Sequence, residues 1–502
     1  MRKNTPAYFT GCSRGFCFLS FVSFQFLLFF LIVTLVYFLL PNKYRWLWLL
    51  AVSYFFYMCF SPQYAVLLAA STLVTYLSGI LIGKENKSTE SVKAKKNKKL
   101  IIALSFIINL GILAVFKYLN FFSEIFAGIA SALGAQAAPV KFDIILPAGI
   151  SFYTFQALSY TVDVYRGDIE PEKHFGKYAL FVSFFPQLVA GPIQKSKNLL
   201  PQFSEEHHFD YDNARDGLLL MLWGYFQKMV VADRLAVFVN SVYNAPSKHF
   251  GFGVMIANIF FAFQIYCDFA GYSNIAIGAA QVMGFKLSKN FDKPYMSKSV
   301  KEFWRRWHIT LGAWFRDYLY IPLGGNRCSQ FRHCLNIVIV FAVCGLWHGA
   351  SMTFVVWGAL HGLYQVIGIL TKPAKERAEK SLKINMGSKA VGLYQTAATF
   401  ILVDFAWIFF RADTFEDAFT VIGNMFIFGK SVFPVDYIFE MCLIVFVVLI
   451  DALRKKHDFR GSLLKKNLFC RWAVYVTSVL VILIIGVYGS QAGAQQFIYF
   501  QF

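Results

Sequence analysis

Three features of the sequence predict an all-α polytopic membrane protein. Hydrophobic residues make up 57% of the 502 residues and charged residues only 15%, too little polar surface for a water-soluble chain of this size. Apolar stretches recur at the length of about 20 residues that a helix needs to cross a hydrocarbon core. Lysines and arginines gather in short loops between those stretches, the inward bias of membrane proteins. About 11 transmembrane helices are expected, with re-entrant and interfacial helices between them.

The first span is expected at 18–40. The preceding MRKNTPAYFTGCSRGF resembles a signal peptide, but the apolar run after it is too long and no A-x-A-like site follows, so the helix is read as retained. Further spans are expected at 46–60, 64–83 and 100–119. The loop KENKSTESVKAKKNKK between the last two carries seven lysines against two glutamates and is placed in the cytoplasm. Basic loops at 371–389 and 454–471 are placed there too, with spans at 391–410, 434–452 and 472–488. That order leaves the terminal GSQAGAQQFIYFQF outside. Counted back from the first loop it also puts the N-terminus outside, against the pull of Arg2, Lys3 and Arg14.

Residues 140–370 read differently. Pro, Gly and charge interrupt short apolar pieces such as FFPQLVAGPI and IYCDFAGYSNIAIG. Non-helical backbone at membrane depth survives only where protein buries it or it lines a cavity. Broken or re-entrant helices around a polar interior are therefore expected, with poorly marked ordinary spans as the alternative and 195–245 as an interfacial segment. The chain is treated as one membrane domain, 1–502: N-terminal spans 1–120, an interrupted core 140–370, and C-terminal spans with a tail 391–502.

The formal charge of +20 follows from this topology, so the partner is the lipid bilayer and not nucleic acid. The nine cysteines, among them Cys59, Cys267, Cys344 and Cys442, form no C-x-x-C pair and no zinc spacing. They read as small apolar residues, and no metal or disulfide is expected. G-x-S-x-G, P-loop, H-E-x-x-H and G-x-G-x-x-G signatures are absent, which removes the simplest hydrolase, nucleotide and metal readings.

Ionisable residues within apolar runs are functional candidates because each is costly at membrane depth. His348, in CGLWHGASM, lies about 22 Å along a helix counted from His333. A neutral imidazole there can accept a proton, as a general base must, and Gly349 and Ala350 leave room for a substrate to approach it. The competing reading is a packing histidine bonded to a backbone carbonyl. The stretch KEFWRRWHITLGAWFRDYLYIPLGGN, 301–326, is the second candidate, with Trp304, Arg305, Arg306, Trp307, His308, Trp314, Arg316, Asp317 and Tyr318. Arginines kept near a membrane interior pair with acid groups or meet a phosphate; the alternative is an interfacial aromatic belt with snorkelling arginines. Arg316 and Asp317 are expected to point apart and to find separate partners. His361, 13 residues beyond His348, falls about 220° around one continuous helix and is read as structural. Asp268 is expected to hydrogen-bond within the core.

Taken together, FWRRWHITLGAWFRDYLYIPLGG, GLWHGASMTFVVWGALHG, SFYTFQALSYTVDVYRG and FPQLVAGPI resemble the membrane-bound O-acyltransferase (MBOAT) family. The likeness is to its bacterial branch of alginate O-acetyltransferase type, related to the teichoic-acid D-alanyl transfer proteins, and runs across nearly the whole chain. It implies a ring of helices around a central tunnel. His348 matches the family's catalytic histidine and His308 the supporting one. Substrate-binding roles are expected for Trp304, Arg305, Arg306, Trp307, Arg316, Asp317 and Tyr318, with His308 and the Trp304 and Trp307 indoles as oxyanion donors. Acetyl-CoA would be the donor substrate, with no permanently bound cofactor, and CoA phosphates would meet the basic stretch from Lys286 to Arg306. The resemblance further implies the bacterial cytoplasmic membrane, a polysaccharide acceptor, an extracytoplasmic SGNH-type partner, and Tyr499 as a possible acyl relay. D-alanyl transfer, and a non-enzymatic transporter or scaffold, are the alternatives.

Overall fold

The computed structural model describes residues 19–60, 62–87, 91–135, 137–189, 191–383, 385–453, 459–488 and 496–498. Most of these residues are helical, and no strand occurs among them. Short polar residues start the helices. Ser23, Ser91, Asp210, Ser299, Ser329, Ser388, Thr414 and Asn467 each accept a backbone N–H of the first turn, satisfying a donor the helix itself cannot.

Seven described helices are long and apolar enough to cross a membrane: Pro62–Asn86, Val92–Ala132, Phe252–Val282, Gln330–His348, Met352–Ser381, Lys389–Arg411 and Leu468–Ile485. Phe24–Leu39 is apolar but shorter. The stretches expected to span at 46–60 and 434–452 fold as helices of 17 and 16 residues, Asn42–Met58 and Ile438–Leu453. Burial separates centre from rim. In Phe252–Val282, 78% of the apolar window is buried, against 17% in Val92–Ala132 and 6% in Leu468–Ile485. The rim helices turn apolar side chains outward, as lipid contact requires.

The stretch 195–245 is not confined to an interface. Helix Tyr211–Tyr225 continues through Phe226–Ala232 into Asp233–Tyr243 and packs along the central helix, with Lys228 and Asp233 buried. Glycine permits the approach: a Cβ on Gly224 would stand 2.6 Å from the carbonyl oxygen of Gly271. A second crossing of this kind joins Gln330–His348 to Met352–Ser381. A methyl group on Gly345 would strike the Phe354 carbonyl, and one on Gly358 the Phe341 carbonyl. The two helices form an antiparallel hairpin turned by residues 349–351, where Ser351 caps the second helix.

Within 140–370 the chain is interrupted as expected. The buried helix Ile150–Arg166 is followed by short pieces at Phe175–Ser183, Phe185–Leu188 and Ser196–Leu199. Helices Val300–Arg306 and Ile309–Phe315 flank His308. Among the described residues three helical stretches carry a widened π turn, at Ala114–Tyr118, Phe226–Ala232 and Arg316–Tyr320. Such turns are uncommon and gather at functional positions.

Candidate active site

His348 is the last residue of its helix and is 2% exposed. Its ring stands between Trp347 and Trp357, each 5.0 Å away between centroids, with Phe410 at 5.5 Å. His308, fully buried, joins two short helices with φ +43°, a left-handed conformation that few non-glycine residues adopt. Asn290 Oδ1 lies 3.1 Å from His308 Nδ1 and accepts the Thr310 hydroxyl at 3.0 Å, while Asn290 Nδ2 donates to Ser273 Oγ at 3.2 Å. With that oxygen acting as acceptor, Nδ1 of His308 is the donor and Nε2 the basic nitrogen. The two imidazole centroids are 6.4 Å apart.

The other residues expected at the site divide into three groups. Trp304 packs on Trp357 at 5.8 Å and Trp307 on Trp407 at 5.1 Å, so both belong to the aromatic wall but reach His348 through intervening rings. The indoles that flank His348 itself are Trp347 and Trp357. Both indole N–H groups are buried with no hydrogen-bond acceptor among the described residues. Arg305 is exposed, and Arg306 is bonded to Glu302 at 2.6 Å.

Arg316, Asp317 and Tyr318 form a separate polar cluster. Contrary to expectation Arg316 and Asp317 pair with each other, Arg316 Nε donating to Asp317 Oδ1 at 2.7 Å. The Arg316 side chain is long enough to bend back along the π turn, and Lys195 meets the same carboxylate from the other side. Tyr318 donates to Asp163 at 2.7 Å. The cluster connects to the wall through Trp314, stacked on Phe155 at 3.7 Å, which lies 5.5 Å from Trp347.

Partial burial alone would raise the Asp317 carboxyl, but hydrogen bonds and charge from Arg316 and Lys195 hold it below the usual carboxylate range. Its stabilising contribution is thus fully present above about pH 4, the ordinary aspartate value, and fades as acid titrates the depressed group. Protection factors for hydrogen exchange in residues 316–320, each rate divided into the intrinsic rate at its own pH, are expected to fall below that pH, and Lys195→Met to move the onset upward. Protection factors unchanged to pH 3 in both proteins would contradict this.

Three features of the site were not read from the sequence. His361 faces the aromatic wall, 5.2 Å from Trp357 and 5.1 Å from Trp304. The angle of one continuous helix does not apply, because the chain turns at 349–351. The space beside Gly349 is taken by the Phe354 ring, so its missing side chain serves packing and not substrate entry. Lys117, which the sequence reading passed over, donates to the Trp347 carbonyl at 2.7 Å and the His348 carbonyl at 3.1 Å. Ending the span at 119 put this lysine at a helix end, whereas the helix continues to Ala132.

Tyr499 lies outside the described residues. Just before it, Phe497 and Ile498 are buried, with the Ile498 N–H donating to Asp268 Oδ2 at 2.7 Å. Phe497 packs on Phe269, whose ring stands 4.6 Å from His308. Asp268 also pairs with Lys228 at 2.6 Å.

A probable alginate O-acetylase (AlgI) of Azotobacter vinelandii is 37% identical over 394 residues, covering 78% of this chain and 75% of the relative. The chain belongs to the membrane-bound O-acyltransferase family. The family's own pattern, MBOAT, matches residues 170–379, which contain His308, His348 and His361. A peptidoglycan O-acetyltransferase of Helicobacter pylori is 34% identical over 405 residues, 76% of this chain and 73% of the relative. A teichoic acid D-alanyltransferase of Streptococcus thermophilus is more distant, 30% identical over 51% of this chain and 66% of the relative. The protein is therefore an O-acyltransferase and an integral membrane protein, and MBOAT membership leaves the transporter reading without support.

Proposed function

We propose that this protein takes acetyl groups from cytoplasmic acetyl-CoA and moves them across the bacterial cytoplasmic membrane. The acceptor is an extracytoplasmic polysaccharide, alginate-like or another envelope or secreted polymer. The observation that carries the reading is the pair of buried histidines 6.4 Å apart, in a chain resembling alginate O-acetylases over most of its length.

His348 acts as general base. It removes the proton of an acceptor hydroxyl, whose oxygen attacks the thioester carbonyl. The tetrahedral intermediate collapses with cleavage of the C–S bond, and the proton passes from His348 to the departing CoA sulfur. Trp347 and Trp357 supply buried N–H groups for the developing oxyanion, in place of the more distant Trp304 and Trp307. His308 orients the reacting groups from across the gap. Exposed Lys286, Lys289, Lys298, Lys301 and Arg305 form a surface suited to CoA phosphates. In this reading the shorter helices complete a ring of about 11 around a tunnel that ends at His348.

Tyr499 is the first acceptor: its phenol oxygen takes the acetyl group and passes it, on the outer side, to an SGNH-type partner that acetylates the polymer. The burial of Phe497 and Ile498 near His308 supports this order. Purified protein in lipid, incubated with radiolabelled acetyl-CoA, is expected to retain label on Tyr499, and Tyr499→Phe to lose it. Label elsewhere, or unchanged labelling of the Phe variant, removes the relay.

The match to a D-alanyltransferase favours D-alanyl transfer as the second reading. Labelling from a D-alanyl carrier-protein thioester, and none from acetyl-CoA, would select it.

A further inference from the structure

The helix that presents His348 ends inside the protein, where its last carbonyl groups have no partner within the helix and no bulk water to turn to. Each is met. Gly349 N donates to Gly345 O at 3.3 Å, and Tyr118 Oη donates to Leu346 O at 2.8 Å. Lys117 Nζ donates to Trp347 O at 2.7 Å and to His348 O at 3.1 Å. Two neighbouring side chains of one distant helix therefore hold three consecutive carbonyls.

Both residues lie in the π turn Ala114–Tyr118, and widened turns of this kind gather at functional positions. The ammonium also reaches Ser151 Oγ at 3.3 Å, in the first turn of Ile150–Arg166, and lies 5.9 Å from the Trp347 ring centroid. One cation thus joins three helices at the residue that carries the imidazole.

A cap alone does not account for a lysine here, since Tyr118 shows that a neutral hydroxyl suffices for a carbonyl. An ammonium within an apolar helix is costly, and such residues persist where they do a job. The Lys117 side chain meets the negative end of the helix dipole, where a positive charge is favoured. Immediately beyond, the chain breaks at 349–351, so without a grip on carbonyls 347 and 348 the terminal turn is free to pivot.

We propose that Lys117 is a positioning residue for His348, fixing the imidazole at its working distance from His308; the inference rests on His348 being the catalytic base. The test uses full-length protein in liposomes with radiolabelled acetyl-CoA, comparing wild type, Lys117→Met, Lys117→Arg and His348→Ala. Lys117→Met is expected to lower kcat on the order of 10- to 100-fold, the effect of a misplacement near 1 Å, with KM for acetyl-CoA unchanged. Lys117→Arg, which keeps a cationic donor, is expected to recover a large part of the loss. A merely structural lysine would alter melting temperature and the yield of folded protein without this separation of kcat from KM. Lys117→Met at wild-type kcat, or Arg no better than Met, overturns the proposal while an inactive His348→Ala leaves the base reading standing. Full activity in His348→Ala would instead remove the base reading itself. Should the Met variant not fold, Lys117→Gln keeps a neutral donor. Wild-type kcat in that variant overturns the proposal, and a reduced kcat with unchanged KM supports it.

Discussion

His348→Ala is expected to lower acetyl transfer by about 10²- to 10⁴-fold, the range that positioned proton transfer contributes. The loss should fall on kcat, because the substitution removes the group that accepts the hydroxyl proton and leaves the exposed basic surface for CoA untouched. Gel filtration and melting temperature should show a folded protein, since the ring is surrounded by packed aromatic side chains that hold the wall together without it. His308→Ala should be less severe. That ring acts from 6.4 Å away and is held by Asn290. If His348→Ala turned over at the wild-type rate in lipid, the chemistry would have to lie elsewhere.

Lys228→Met should cost about 3–5 kcal/mol of stability, the penalty for breaking a buried ion pair by removing one partner. Lys228 Nζ bridges Asp233 at 2.8 Å and Asp268 at 2.6 Å, and no side chain of the three is more than 4% exposed. Removing the cation leaves two carboxylates in a space too dry to solvate them. An exposed pair provides the contrast: Lys372 and Glu376, 3.8 Å apart, should change stability by roughly 0–1 kcal/mol when broken. Inactivation rates at a fixed temperature in detergent would measure both. Combining Lys228→Met with Asp233→Asn and Asp268→Asn should restore much of the loss by removing the stranded charge. Equal inactivation rates for Lys228→Met and wild type would show that the cluster contributes nothing to stability.

The helical, membrane-embedded character was legible because it is dictated by composition, and composition survives any error of detail. The site was legible in part. His348 stood out through the cost of a titratable group in an apolar run, but spacing alone left catalysis and packing as alternatives, and the family likeness supplied the role. What could not be read were local departures from helical regularity. The π turn at 114–118 carries no marker in residue type, yet Lys117 lies in it and reaches the Trp347 and His348 carbonyls. The break at 349–351 did leave a sign, since Ser351 before an apolar run is an ordinary helix start. The angle given for His361 took 348–361 as one helix and so missed that break. Arg316 and Asp317 were judged by the angle between their Cα–Cβ bonds, and the reach of a guanidinium exceeds what that angle allows.

Tyr272 of the central helix is where distant parts of the chain converge: Ser20 Oγ lies 3.2 Å from its hydroxyl, Phe21 packs on its ring at 5.9 Å, and Phe497 at 4.4 Å. A ribosome delivers these residues in order. The spans made first enter the bilayer long before Phe497 exists, and Asp268 then lacks the Ile498 N–H that it accepts in the finished protein. Seating residues 497–498 against the central helix therefore waits until translation has passed them, well after that helix has been made.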